Sequence, residues 1–210
     1  MPISKNYKNN NFLHLTLQNL TDTTNLIVNN DISFPIKKKD LDLEFLNDLI
    51  ISTQDVIDYW TEQELVMKQL SFILANAKLQ GEKYSTFAER NISAKINGYT
   101  FGGYVDFLVA KGIYEPTRPF FFIQEFKKSR NQGGDPLAQL LGEMLVAQEL
   151  NQDPEIYGVY IVGKYWTFVP MKGLAYCQKA SLDSTDLEDL KTIFYHLNWV
   201  KQYVEEKLLN

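Results

Sequence analysis

The chain has almost no cysteine or histidine, no net positive charge and no long apolar run, and each shortage removes a class of protein. A single cysteine, Cys177, among 210 residues rules out an internal disulfide and any cysteine-clustered zinc site. His14 and His196, the only histidines, lie at opposite ends of the sequence, which disfavours histidine-based zinc chemistry. The formal net charge of −5 argues against a protein that coats nucleic acid by bulk electrostatics. It still permits a nuclease with a local basic rim, for which Lys95, Lys111, Arg118, Lys127, Lys128 and Arg130 are the candidates. No apolar stretch is long enough to span a bilayer, and Met1–Asn11 has no apolar core of a signal peptide. The expectation is a soluble, cytoplasmic protein with no membrane partner.

What the chain does have is apolar and aromatic material, 45% and 13% of residues, enough for a packed core. Its length fits one domain with an added N-terminal element, and the reading divides it into an appendage, residues 1–55, and a main unit, residues 56–210. Phe12–Leu17 reads as a short strand, and Gln18–Asn30 as a loop broken by Leu26-Ile27-Val28. From Asp40 apolar residues recur at helical spacing. Thr61 with Glu64 forms a capping-box pattern, followed by an inward stripe of Val66, Leu70, Ile73 and Ala77. Extended back one turn, that stripe lands on Glu62 and turns it towards the core.

Three strand-like runs follow. Ala88, Arg90, Ile92, Ala94 and Ile96 alternate onto one face, and Asn97-Gly98 is a hairpin turn signal. Tyr104–Ala110 sets one acid, Asp106, among apolar residues, with a bulge or close backbone approach expected at Gly102-Gly103. Lys111–Pro119 makes the connection to Phe120–Lys127. Because strand residues i and i+2 share a face, Glu125 and Lys127 point the same way, and hairpin pairing sets Asp106 beside Glu125. Two carboxylates and a lysine on rigid strands suit a divalent metal and a water to be deprotonated. The rival reading is a cross-strand ion pair of Asp106 with Lys127. After a polar loop, Ser129–Gly134, Asp135-Pro136 starts a helix that buries Leu137, Leu140, Leu141, Met144 and Leu145, with Gln139 and Glu143 sharing one of its faces. Tyr157–Gly163 has the continuous apolar character of a buried strand, and another strand follows from Lys164. Ser184 or Thr185 caps a last helix to Leu209, whose aromatics Phe194, Tyr195, Trp199 and Tyr203 fit a core better than a dimer interface.

This order, with Gly103-Tyr104-Val105-Asp106-Phe107, then Phe122–Ser129, then Asp135–Met144, resembles the PD-(D/E)xK nuclease superfamily, and within it a group of small bacterial proteins related to RecB-like exonucleases and restriction endonucleases. The resemblance covers about residues 61–169; Val105 stands where the superfamily's name has proline. It implies an α/β (α+β) fold with a restriction-endonuclease-like core, a central mixed sheet flanked by helices in the order αβββαβ. It also implies a metal-dependent nuclease that hydrolyses phosphodiester bonds, DNA being the favoured partner. Asp106, Glu125 and the Phe126 backbone carbonyl would hold Mg²⁺ or Mn²⁺, with Glu62 as a further ligand or orienting group. Lys127 would position and help deprotonate the water, and Gln139 would brace the lysine or the substrate. The alternatives are a nuclease-fold module without turnover, binding nucleic acid or protein, and a homodimer through the aromatic C-terminal helix.

Overall fold

The computed structural model describes residues 9–127 and 134–209; Lys128, Ser129 and Arg130 fall outside them. Helices flank one large mixed sheet. The strands are β1 (Asn9–Asn11), β2 (Ile27–Val28), β3 (Tyr84–Ile96), β4 (Tyr99–Lys111), β5 (Thr117–Lys127), β6 (Glu155–Val162), β7 (Tyr165–Lys172), β8 (Ala175–Tyr176) and β9 (Leu182–Asp183). The sheet runs β1-β4-β5-β6-β7-β8-β2, with β3 on the other edge of β4 and β9 on β7. β3, β4 and β5 form the expected antiparallel meander, and β6 lies parallel to β5. Among the described residues, no helix is long and apolar enough to cross a membrane.

Two cores sit on the two faces of the sheet. On one lies α5 (Pro136–Asn151), whose residues from Ala138 to Ala147 are all buried. A helix apolar on every side has to be covered on every side. The sheet covers one side, while Phe12, Leu15 and Leu20 from the N-terminal segment pack into the same core. The opposite face carries α2 (Leu43–Thr53), the helical stretch from Glu62 to Ala77 and α6 (Leu187–Leu209), packed on Phe122, Phe126, Val159, Ile161 and Phe168. β5 and β6 are buried on both faces, which is why their sequences run apolar without alternation.

Several local readings change. Phe12–His14 is a 3-10 turn and Leu17–Thr24 is α1, not a strand and a loop. The Asn11 side chain accepts from Leu13 N and the Thr16 side chain from Asn19 N; such local bonds favour helix starts over a strand. Residues 9–55 do not stand apart as an appendage: β1 and β2 join the sheet, and Leu46 and Leu49 enter the core beside α6. The last helix is capped by Asp186, whose Oδ1 accepts from Glu188 N and Asp189 N. The helix opened by the Thr61–Glu64 capping box is not uniform. α3 (Glu62–Leu65) passes through a π-helical stretch, Val66–Leu70, into α4 (Ser71–Ala77). Such widened turns concentrate at functional sites.

Other expectations hold. Asn97 and Gly98 both have positive φ, 49° and 84°, as the two-residue hairpin turn requires. At Gly103 the approach is close: a Cβ there would stand 2.8 Å from the Phe12 ring, so glycine lets the N-terminal segment dock on β4. The aromatic face of α6 belongs to the core, with the Trp199 ring 4.6 Å from that of Tyr157 and Phe194 buried.

Candidate active site

Asp106 lies where two ladders break at once. β4 and β5 pair from Val109↔Phe122 through Phe107↔Gln124, and the next partners in that register are Asp106 and Glu125, where pairing stops. The Asp106 carboxylate fills the gap, its Oδ2 accepting from Phe126 N at 2.8 Å. On the other edge of β4, Ala88 pairs with Phe107 and Arg90 with Val105, while Glu89, opposite Asp106, is unpaired with φ 51°. Side-chain alternation changes phase here. Val105 and Leu108, three apart, both pack on the α5 side, as do Phe87 and Ile92, five apart. The single face predicted for Ala88 through Ile96 is therefore interrupted at Glu89. A non-glycine residue in the left-handed region costs about 1–3 kcal/mol and persists only where surrounding structure imposes it.

Glu125 and Lys127 share a face as the strand period requires, with Lys127 Nζ 2.8 Å from Glu125 Oε1. Both side chains are nearly buried, at 3% and 10% exposure. The rival pairing of Asp106 with Lys127 is not formed; Asp106 bonds the backbone instead. Against Glu125 from α5 comes Glu143, fully buried, neither of whose oxygens meets a hydrogen-bond donor among the described residues. Burial first, and then the charge of Asp106, push the Glu125 carboxyl up to about 8 despite Lys127. Glu143 is raised well above the ordinary carboxyl range, by burial and then by Glu125 and Asp106. For Lys127 burial works against the charge, but Glu125 at contact distance, with the fields of Asp106 and Glu62, holds the ammonium above the usual lysine range. Two carboxyls pressed together beside one ammonium retain a proton.

On the opposite side, a cleft of about 1100 Å³ opens between the α3–α4 stretch and β3–β4. Asp106 and Phe126 line its floor, Glu62 and Gln63 its helical wall, and Lys78 and Arg90 supply its cations. Glu62 is exposed at the helix start, not turned inward, because the stripe behind it is rephased by the π-helical stretch. It reaches the site as a wall of the cleft and through its field on Lys127. Glu64 is the cap, accepting from Thr61 N at 2.9 Å.

Gln139 is buried on α5, one turn before Glu143. Among the described residues it makes no hydrogen bond to Lys127 or Glu125, and its Oε1 lies unpartnered towards Gly134. The α5 residue that meets the carboxylates is Glu143. Its signal in the sequence was an acid set inside Leu-Leu-Gly-Glu-Met-Leu-Val, four residues after the glutamine already marked. Lys95, Lys111 and Arg118 are exposed and do not line the cleft.

Among the described residues no three His, Cys, Asp or Glu side chains form a ready metal cage. Mg²⁺ does not require one, since it commonly keeps several waters and takes one or two carboxylates. The donor set fits such an ion: Asp106 with one oxygen on Phe126 N, a buried Glu125 whose charge Lys127 only partly compensates, and Glu143, whose two oxygens meet no donor among the described residues. Asp106, Glu125 and the Phe126 carbonyl are the groups that would hold it.

No protein-family model matches the chain, and no curated protein matches it in sequence. Among solved structures the chain is similar to one described as "Crystal structure of SSO0001", at 17% identity over 81% of this chain and 79% of that one, with a TM-score of 0.27.

Proposed function

We propose that the protein is a cytoplasmic, metal-dependent nuclease of the PD-(D/E)xK type, hydrolysing phosphodiester bonds in DNA. The observation that carries the reading is the convergence at one break in the sheet: Asp106 bonded to Phe126 N at 2.8 Å, beside a buried Glu125–Lys127 pair at 2.8 Å. Burying Glu125, Lys127 and Glu143 between an apolar sheet and an apolar helix costs stability. A structural role would be served better by apolar residues.

Asp106 and Glu125, with the Phe126 carbonyl, would hold Mg²⁺ or Mn²⁺. The ion would supply Lewis-acid stabilisation of phosphate charge and lower the pKa of the attacking water. Lys127, an ammonium, offers N–H donors that orient the attacking water, and its charge favours the hydroxide over the water. Glu143 stands behind Glu125 and holds its orientation, as an outer carboxyl does for a ligand. Glu62 shapes the substrate side of the cleft.

The test is cleavage of labelled single- and double-stranded DNA and RNA with Mg²⁺, Mn²⁺ or EDTA, beside Glu125→Gln and Lys127→Ala proteins. Metal-dependent cutting that both substitutions abolish is the expected result. No cutting of any substrate, with no Mn²⁺ bound by calorimetry, would replace the enzyme with a binding module.

A further inference from the structure

One concentration of charge lies outside the site just described. The chain carries a net charge of −5, yet lysines from three separate elements gather on the helical side of the sheet. Lys39 belongs to the segment before α2, Lys78 closes α4, and Lys201 lies on α6. Two bonds tie that segment to α6: Lys37 N donates to the Tyr195 carbonyl at 3.0 Å, and Asn198 Nδ2 to the Lys37 carbonyl at 2.9 Å. Lys39 Nζ then sits over the Phe194 ring, 5.9 Å from its centre. Lys201 follows Phe194 by two turns on the same face of α6, and α4 packs on that helix.

Among the described residues none of the three lysines forms an ion pair. The nearby acids are otherwise engaged. Asp42 caps α2, and Glu205, one turn beyond Lys201, accepts from the Tyr84 hydroxyl at 3.2 Å. Burial first, and then the charges of Lys201 and Lys78, hold the Lys39 ammonium below the usual lysine range. A helix C-terminus favours one cation, which accounts for Lys78 alone. Three unpaired ammoniums that repel one another form a field suited to a multiply charged anion.

The cleft joins this patch to the candidate active site. Its helical wall begins at Glu62, whose field reaches Lys127, and ends at Lys78. That wall is roughly 24 Å long at 1.5 Å per residue, the span of about seven phosphates along one strand of DNA. Val66, Leu70 and Leu74 make its middle apolar, so the attraction for an anionic strand stands at the far end.

We propose that Lys39, Lys78 and Lys201 form a phosphate-binding patch at the far end of the cleft, which takes the DNA backbone several nucleotides away from the phosphodiester being cut. The partner rests on the nuclease reading, and its continuity with the cleft favours a nucleic acid over an acidic protein. The patch concerns binding, which is measured apart from turnover.

The experiment uses the full chain carrying Glu125→Gln, to prevent cutting, and a 5′-fluorescein DNA oligonucleotide read by anisotropy across a salt series, as single strand and as duplex. Adding Lys39→Gln, Lys78→Gln and Lys201→Gln together is expected to weaken binding at least about tenfold at low salt. The plot of log affinity against log salt should flatten by about two to three. Lys78→Gln alone, at an exposed position on which the core does not depend, should flatten it by about one. A control that removes three exposed lysines elsewhere, Lys95, Lys172 and Lys179, should change both far less. In the cutting-competent protein the patch variant raises KM more than it lowers kcat. If DNA is bound but the patch variants match the control, the patch is wrong and the nuclease reading is untouched. If the patch variants alone lose DNA, but no condition yields cutting, the patch stands and the nuclease reading fails. Poly-glutamate held by the patch more tightly than DNA would make the partner an acidic protein and overturn the proposal. Absence of DNA binding overturns it too, whether or not the unsubstituted chain cuts.

Discussion

The two sides of the Asp106–Glu125 break differ in almost every physical respect. On the α5 side, Glu125 and Lys127 are nearly buried beneath an apolar helix that brings Glu143 against them. On the cleft side, Glu62, Glu89 and Lys78 are exposed, and Arg90 and Asp106 are half-buried. Burial therefore sets protonation on one side, and charge in solvent sets attraction and orientation on the other. The comparison teaches where substitutions should be felt in chemistry and stability together, and where in binding alone.

The largest effect belongs to the buried side. Glu125→Gln and Lys127→Ala are each expected to lower cleavage by roughly 10²–10⁴-fold, the range for losing a positioned group that acts on the reacting atoms. Rates under saturating Mn²⁺ measure it; retention of more than a tenth of the activity by either protein would break the assignment.

Lys127→Ala should also destabilise the fold by about 3–5 kcal/mol, since it leaves buried carboxyls without their cation. The double variant Lys127→Ala with Glu125→Gln should recover much of that loss. Urea unfolding of the single and double variants checks the coupling.

The third prediction concerns pH in EDTA. Glu125 titrates near 8 in the folded chain, and an unfolded glutamate near 4.5. The folded state therefore binds more protons between those values. Stability is greatest below about pH 4.5 as far as this group is concerned, declines as pH rises, and that contribution is gone above about 8. Glu143, raised in the same direction, adds to the slope. Melting temperature in EDTA should thus fall from pH 5.5 to pH 8.5, and Glu143→Gln should flatten the fall. Mn²⁺ should raise the melting temperature more at pH 8.5, where no proton has to be displaced. A melting temperature that rises with pH would reverse the assignment of the buried proton.

Asp106 sits between the two sides and separates structure from chemistry. Asp106→Asn retains an oxygen to accept from Phe126 N, and should change stability by less than about 1 kcal/mol while removing metal-dependent cutting. Asp106→Ala should cost about 1–3 kcal/mol more, because Phe126 N is left without its acceptor. The smallest effect is expected from Glu62→Gln on the open side. Stability should stay within about 0.5 kcal/mol, with a change confined to KM.

Much of the scaffold was legible because its signals are local. Asp135-Pro136, Thr61 with Glu64 and Asn97-Gly98 each specify a cap or turn through their own hydrogen bonds and φ preferences, and all three hold. The run Phe120–Lys127 announced a strand with Glu125 and Lys127 on one face, and Tyr157–Gly163 a strand buried on both faces. Where local signals compete, the reading failed. Phe12–Leu17 has strand-like composition, but Asn11 and Thr16 cap helical turns, and Phe12 and Leu15 were wanted in the α5 core.

The sequence by itself determined the meander, the starts of α3 and α5, the continuous burial of β6 and the shared face of Glu125 and Lys127, because strand period and capping act over a few residues. Only the tertiary structure decided which α5 residue meets the carboxylates, Glu143 instead of Gln139, because helix rotation against a sheet is fixed by packing along its whole length. It likewise decided that Glu62 stays exposed and that side-chain alternation on β3 changes phase at Glu89. A π-helical stretch and one left-handed residue on β3 shift side-chain phase there, and neither Val66–Leu70 nor Glu89 carries a local signal for such a shift.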